Sequence, residues 1–274
     1  MRAEDTESVQ TVEATRVSTR DGQSARELCR VIVEQPVTIT IDGVGSYTLM
    51  CTPCDTMALA IGFAFTEGII SGPSDIDLLN RCDEDPSSVR IQLSRLPDRA
   101  PSRNMIVSSS CGLCGSADVN AILESLPKVG DSFKASASRV LAVFREMKSR
   151  QTIFQQTGGA HAAAIFAPDG GIVAFAEDIG RHNALDKAIG KCLLENKPTA
   201  GRGAAVSGRL SLELVAKAAR AGLELIAAVS APSSLAVAAA ERCGITLCGF
   251  ARGDRLSVYS HPLRVTGTGD ERGS

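Results

Sequence analysis

Two cysteines three positions apart, Cys111 and Cys114, lie in the run SSSCGLCGSAD at residues 108–118. Two thiols at this spacing can share one oxidation event or pass a sulfur atom between them. Gly112 and Gly115 leave the backbone free to bring them together. No carboxylate lies between Arg99 and Ala117, so nothing local in sequence opposes a thiolate. A helix starting just after Gly115 would lower a cysteine pKa further through its free N–H groups. Such a thiolate attacks a sulfane sulfur and holds the product as a persulfide anion. A structural or zinc-binding C-x-x-C remains the alternative on these residues alone.

Cys51 and Cys54 form a second C-x-x-C. Two such pairs would satisfy tetrahedral zinc, but 56 residues separate them, against roughly 12 to 20 in a compact site. No metal site is expected. The remaining cysteines include Cys192, Cys243 and Cys248, which sit in or beside aliphatic segments, where free cysteine packs as a small hydrophobe.

A different chemistry is offered by EDIGRHNALDKAIG, residues 177–190. Arg181 supplies a planar fork for phosphate, His182 a group that changes charge near neutrality, and Asn183 an amide. A helix beginning here would aim backbone N–H groups at an anion. The competing reading is a solvated loop with capping ion pairs. Three further segments agree with an anion site: Gly159 and His161 in TGGAH, Arg209 in SGRLS (207–211), and Ser230 in SAPSS (230–234). The last two each follow an expected strand and precede an expected helix. In α/β sheets, loops at the carboxyl ends of strands form the ligand crevice. Neither G-x-G-x-x-G nor a P-loop is present.

The elements that must position these residues are legible in outline. Residues 1 to about 20 lack periodicity and read as a disordered lead-in. Residues 30–51 read as β, with a turn at Asp42-Gly43. Thr52, Pro53 and Asp55 read as the capped start of a helix that Gly68 ends. Strands at 88–94 and 104–108 complete a small α+β domain, residues 21–130, which ends in the CGLC loop. A helix at 136–150, strands at 162–166 and 172–175, then α-β-α-β-α-β to residue 250 predict a mixed sheet with helices on both faces. This second domain spans 131–265, with the junction near 126–134 and a tail at 266–274. Its order is compatible with a cytidine-deaminase-like three-layer α/β fold.

Bulk properties narrow the function class. The 274 residues are 44% apolar and 22% charged, with net charge -2. That is ordinary globular composition, without the cationic excess that wrapping nucleic acid needs. No apolar run reaches the roughly 20 residues of a membrane span. The polar N-terminal run contains no signal-like apolar stretch. A soluble, cytoplasmic protein with reduced thiols is expected.

Taken together, TPCDTMALAIGFAFTEGII, SSSCGLCG, TGGAHAAAIF, EDIGRHNALDKAIG, SGRLSLELVAKAARAG, SAPSSLAVAAA and GITLCGFARGDRLSVY resemble the formate dehydrogenase accessory sulfurtransferase family, FdhD. They run in order from about residue 52 to 259. The resemblance implies a carrier that receives sulfur from a cysteine desulfurase as a persulfide. It implies transfer to the molybdenum bis(guanine dinucleotide) cofactor before insertion into formate dehydrogenase. Cys111 matches the persulfide-bearing position and Cys114 its partner. Phe250, Ala251, Arg252, Gly253, Asp254 and Arg255 match a cofactor-binding segment. A deaminase-like fold and a homodimer are implied as well. Cys54 departs from the family's pattern, leaving a redox role for Cys51 and Cys54 open.

Three other readings fit parts of the sequence. A zinc nucleobase deaminase needs H-x-E and a downstream P-C-x-x-C, whereas Ala163 stands two residues after His161. A thioredoxin-type oxidoreductase would place the CGLC loop near a βαβ unit, not after antiparallel β. A chaperone that binds the cofactor would need the crevice but not the thiols.

Overall fold

The computed structural model describes residues 8–82, 85–97, 105–107 and 119–267. Strands β1 (Val9–Val17) and β2 (Ser24–Ile32) form an antiparallel ribbon. The expected disordered lead-in is therefore a strand over these residues. Val9, Thr11, Val12, Thr15 and Val17 favour an extended backbone, but the ribbon leaves both faces largely wet, so no apolar alternation marks it.

Strands β3 (Gln35–Ile41) and β4 (Gly45–Cys51) follow, then helix α1 (Thr56–Thr66), β5 (Ile76–Arg81), β6 (Ser88–Leu93) and β7 (Met105–Val107). They form a five-stranded sheet in the order β5-β6-β3-β4-β7, with β7 parallel to β4. The helix start expected at Thr52-Pro53 lies too early. Asp55 occupies the N-cap position in a left-handed conformation, with φ 54° and no side-chain cap. Its carboxylate pairs instead with Lys191 at 2.6 Å. Thr52 stays outside the helix because its polar groups are engaged elsewhere, as described below.

Helix α2 (Val119–Ser125) leads to the short β8 (Ala135–Ser136), then α3 (Ala137–Arg150) and α4 (Thr152–Thr157). The expected junction at 126–134 falls between α2 and β8. The rest of the chain is β9 (His161–Phe166), β10 (Ile172–Asp178), α5 (Arg181–Leu194), β11 (Gly203–Val206), α6 (Leu212–Arg220), β12 (Leu225–Ala228), α7 (Ser234–Cys243), β13 (Thr246–Arg252), β14 (Arg255–Ser260) and β15 (Val265–Thr266). Its sheet has the order β10-β9-β11-β12-β13-β14 and is mixed: β11, β12 and β13 are parallel, and the other pairings are antiparallel. The mixed α/β architecture expected from the sequence is present.

One face of the six-stranded sheet packs on α5, α6 and α7 through Ile165, Val206, Ile226 and Leu247. The other packs on α3, where Phe133 meets Phe166 edge-on with ring centroids 5.7 Å apart. The first core is continuous with the five-stranded sheet through α1, and takes in Ile39, Ile91, Leu59 and Ile61. Helices α1 and α5 cross with backbones in contact. A Cβ on Gly62 would overlap the carbonyl oxygen of Asp186, and one on Gly190 would overlap that of Ala58. Cys192, Cys243 and Cys248 are fully buried, in keeping with packing as hydrophobes. Burial pushes the Cys248 thiol up to about 12 and that of Cys192 to about 11.

Candidate functional site

Among the described residues, the loop segments singled out in the second half of the sequence meet at one end of the six-stranded sheet. His161 opens β9 opposite Asp178, the last residue of β10. Val206 ends β11 beside Ala163 and Ala228. The loop after β12 is tied to the end of β13 by the Phe250 N–H, which donates to the Ser230 carbonyl at 3.2 Å. This is the carboxyl end of the parallel strands, where α/β sheets open a crevice.

A cleft of about 650 Å³ opens there, lined by Gly159, His161, Ser207, Ala251, Arg252 and Gly253 among others. Its position depends on Glu177. That buried carboxylate accepts the Ile153 and Phe154 N–H groups at 3.0 and 2.9 Å and so caps α4. Burial raises its pKa, while these backbone donors oppose the rise. Helix α4 then ends on Gly158 at φ 69°, a left-handed position that suits glycine, and the chain turns into His161. His161 Nδ1 lies 3.2 Å from Ser207 Oγ, which also accepts the Ala162 N–H at 2.9 Å. Burial first, and the Arg181 guanidinium second, hold the imidazole below its usual pKa. It is therefore neutral at pH 7. A Cβ on Gly208 would come 3.2 Å from Arg181 Cδ and 3.5 Å from His161 Cε1. Glycine here lets both side chains lie against the loop. Arg181 Nε is buried and has no hydrogen-bond partner among the described residues, a donor suited to an anionic ligand.

The other expected residues are arranged differently. Asn183 is turned inward, its amide donating to the Met50 carbonyl and to Asp178. His182 is buried, with Nε2 3.3 Å from Ser211 Oγ and 3.4 Å from Glu213. Arg209 is exposed on its loop, and Phe250, Asp254 and Arg255 are exposed at or near the β13–β14 turn. None of these lines the cleft.

Much of EDIGRHNALDK instead forms a buried joint between the two sheets. Lys187 and Asp178, both fully buried, pair at 2.7 Å. Lys187 also donates to the Thr52 carbonyl at 2.8 Å and to Cys54 Sγ at 3.7 Å. Asp178 accepts the N–H groups of Thr52 and Gly180, and Thr52 Oγ1 accepts that of Ile179. Burial opposes the lysine charge, but Asp178 and the neighbouring sulfurs outweigh it and raise its pKa. Burial pushes the Cys51 thiol up to about 12, which makes it a poor nucleophile near neutrality.

Cys111 and Cys114 lie outside the described residues, as does the expectation of weak order for their loop. The strand that precedes them is informative. Val107, the last residue of β7, pairs with Leu49, two residues before Cys51 on the parallel β4. The chain thus leaves β7 at the sheet end where Thr52 holds Asp178 and Ile179, the residues leading into α5.

Sequence reading missed the opposite wall of the cleft. Phe144, Arg145 and Lys148 of α3 and Phe154 of α4 line it. Cations spaced three apart on an amphipathic helix look the same in sequence as a solvated face, so only the packing reveals them.

A family model described as the FdhD/NarQ family matches residues 32–266. "Sulfur carrier protein FdhD" from Anaeromyxobacter sp. (strain K) is 38% identical over 276 residues, covering 93% of this chain and 94% of the relative. The protein of the same name from Thermoplasma acidophilum is 40% identical over 245 residues, covering 86% of each. The crystal structure of a formate dehydrogenase accessory protein from Desulfotalea psychrophila superposes with a TM-score of 0.73 at 25% identity, covering 93% of this chain and 99% of that one. With matched residues that include β9, α5 and both loops of the crevice, the chain belongs to the FdhD/NarQ family.

Proposed function

We propose that this chain is a sulfurtransferase that carries sulfur on Cys111 to the molybdenum bis(guanine dinucleotide) cofactor of a formate dehydrogenase. The observation that carries this reading is family membership across residues 32–266, with relatives named as sulfur carriers. The cleft supports it. His161, Arg181 and Arg252 stand at or beside one opening, and an orphaned guanidinium N–H suits a pyrophosphate-bearing cargo.

The chemistry balances in two steps. The Cys111 thiolate attacks the terminal sulfur of a desulfurase persulfide. A sulfur–sulfur bond forms to Cys111, the donor's breaks, and the donor leaves as a thiolate. The Cys114 thiolate then attacks Cys111 Sγ. The carried sulfur departs as hydrosulfide towards the cofactor, and a Cys111–Cys114 disulfide remains. The dithiol supplies the two electrons, and an external dithiol reductant resets the pair.

Gly159, His161, Arg181 and, within the 250–255 turn, Ala251, Arg252 and Gly253 are the residues read as holding the cargo. His182 and Asn183 brace the start of α5 from its buried side, and Arg209 and Ser230 belong to the loops after β11 and β12. The six-stranded unit is read as a deaminase-like layout, from its hairpin followed by three α-β steps. The protein is placed in the cytoplasm as a homodimer whose partners are the desulfurase and the dehydrogenase. Among the described residues no helix is long and apolar enough to cross a membrane.

The test is restoration of formate dehydrogenase activity in cells lacking their own carrier. Wild type is expected to restore it, and Cys111→Ala to lower it by about 100-fold or more, as losing a nucleophile does. Full activity with both loop cysteines replaced would instead establish the cofactor-chaperone reading.

A further inference from the structure

The second C-x-x-C has no part in the carrier chemistry. Cys51 and Cys54 are both free thiols and both buried. Between them the chain folds back in one tight turn, in which the Cys54 N–H donates to the Thr52 carbonyl at 2.9 Å. Pro53 lies at its centre, and a ring-fixed φ suits such a turn. The two sulfurs act electrostatically on each other and on the Lys187 ammonium, so the three groups share one buried corner. Their settings differ. Cys51 is 0% exposed and packs in the main core. Cys54 is 8% exposed, and its Sγ accepts a hydrogen bond from Lys187 at 3.7 Å. It packs with Ile153 of α4, Ala160, and Val9 and Ile32 of the β1–β2 ribbon. Cys54 is therefore part of the small apolar contact that holds the ribbon against α4.

We propose that Cys51 and Cys54 form a dithiol that peroxide closes into a disulfide, with Cys54 attacking and Cys51 resolving, and that closure loosens the β1–β2 ribbon. The Cys54 sulfur attacks one peroxide oxygen and the O–O bond breaks. The other oxygen leaves as water with the thiol proton, and Cys54 becomes a sulfenic acid. The Lys187 ammonium beside the sulfur stabilises charge on the departing oxygen. The Cys51 sulfur then attacks Cys54 Sγ, the S–O bond breaks, and a second water leaves with the Cys51 proton. Two electrons pass from the thiols to the peroxide, and a dithiol reductant returns them. Burial pushes the Cys51 thiol up to about 12 and slows it, but its attack is intramolecular, and a high effective concentration offsets this. Bonding to Cys51 draws the Cys54 sulfur from Lys187 and from the apolar contact, so the ribbon is held less firmly. None of this depends on Cys111 carrying sulfur.

Intact mass and peptide mapping after hydrogen peroxide treatment test this on the full chain carrying Cys29→Ser, Cys82→Ser, Cys111→Ala and Cys114→Ala. The thiols left are Cys51, Cys54 and the fully buried Cys192, Cys243 and Cys248. The expected result is a loss of two hydrogens, about 2 Da, a linked Cys51–Cys54 peptide, and recovery with dithiothreitol. Dimedone, which traps sulfenic acids, should label Cys54 when Cys51→Ala is added and label nothing when Cys54→Ala is added. Hydrogen exchange of the β1–β2 amides should quicken by about 10-fold in the oxidised chain, as a local opening would give. A chain whose mass peroxide leaves unchanged, or in which another pair is linked, overturns the dithiol. Dimedone on Cys51 overturns the order of attack, and a linked pair with unchanged exchange overturns the loosening. Should the substituted chain not fold, presence or absence of the linked peptide in peroxide-treated wild type decides the same question.

Discussion

Replacing Asp178 by alanine is expected to lower stability by about 3–5 kcal/mol, because it strands the buried Lys187 ammonium without its partner. The loss should show as a lower midpoint in urea with the slope unchanged. Two further features identify its cause. First, in the variant burial acts on Lys187 without the carboxylate, so its folded pKa falls below its unfolded value near 10.4. The folded state then binds fewer protons than the unfolded one, and stability rises with pH between those two pKa values. The deficit against wild type should shrink from pH 7 towards pH 10. In wild type the lysine pKa is raised, so its contribution is fully present below the unfolded pKa and is lost only as pH rises through the folded one. Second, adding Lys187→Met should recover most of the loss, since an apolar side chain of similar length needs no partner. A pH-independent deficit, or no recovery in the double variant, would show that Asp178 acts only through its backbone hydrogen bonds to Thr52 and Gly180.

Gly190→Ala should be the most damaging glycine substitution in the helices. On propensity alone the change would favour α5 by about 1 kcal/mol. The added methyl, however, overlaps the Ala58 carbonyl, and backbone cannot rotate aside as a side chain would. Overpacking of this kind costs about 1–3 kcal/mol and more where nothing can yield. The clash should win, for a net loss of about 2 kcal/mol or more. Gly62→Ala, which meets the Asp186 carbonyl from the other side of the crossing, should behave alike. Gly72→Ala is the control. Its backbone is extended at φ 174° and open space surrounds it, so a change within about 0.5 kcal/mol is expected. Thermal melts of the three variants decide the point. A stabilised Gly190→Ala would mean that α1 and α5 do not cross as described.

These two sites also mark where sequence reading reached its limit. The density of polar types in EDIGRHNALDK was legible, and so was their place at a helix start. Whether they face solvent or bury was not, because a buried ion pair and an exposed one use the same residues. Asp178 and Lys187 turn inward because Thr52 at the end of β4 offers both a donor and an acceptor, and that partner lies 126 residues away in the chain. The order of α5 to β13 could be read because strands and helices alternate there with clear turns. The ribbon β1–β2 could not, because it has little core to pattern it. The cleft was half legible: glycine turns and strand-end loops announce themselves, whereas Arg145 and Lys148 look like any solvated helix face. The reach of β7 towards Thr52 depends on sheet register, which no local pattern encodes.

Intact mass spectrometry shows whether Cys111 carries sulfur. The full chain is incubated with a cysteine desulfurase and L-cysteine, alongside Cys111→Ala and Cys114→Ala. Wild type is expected to gain one sulfur, about 32 Da, that reduction removes. The gain should be absent in Cys111→Ala and persist in Cys114→Ala, which lacks only the releasing thiol. A wild type that gains no sulfur yet still activates formate dehydrogenase would show that Cys111 is no sulfur carrier and leave the cleft, without the dithiol, as the functional part of the molecule.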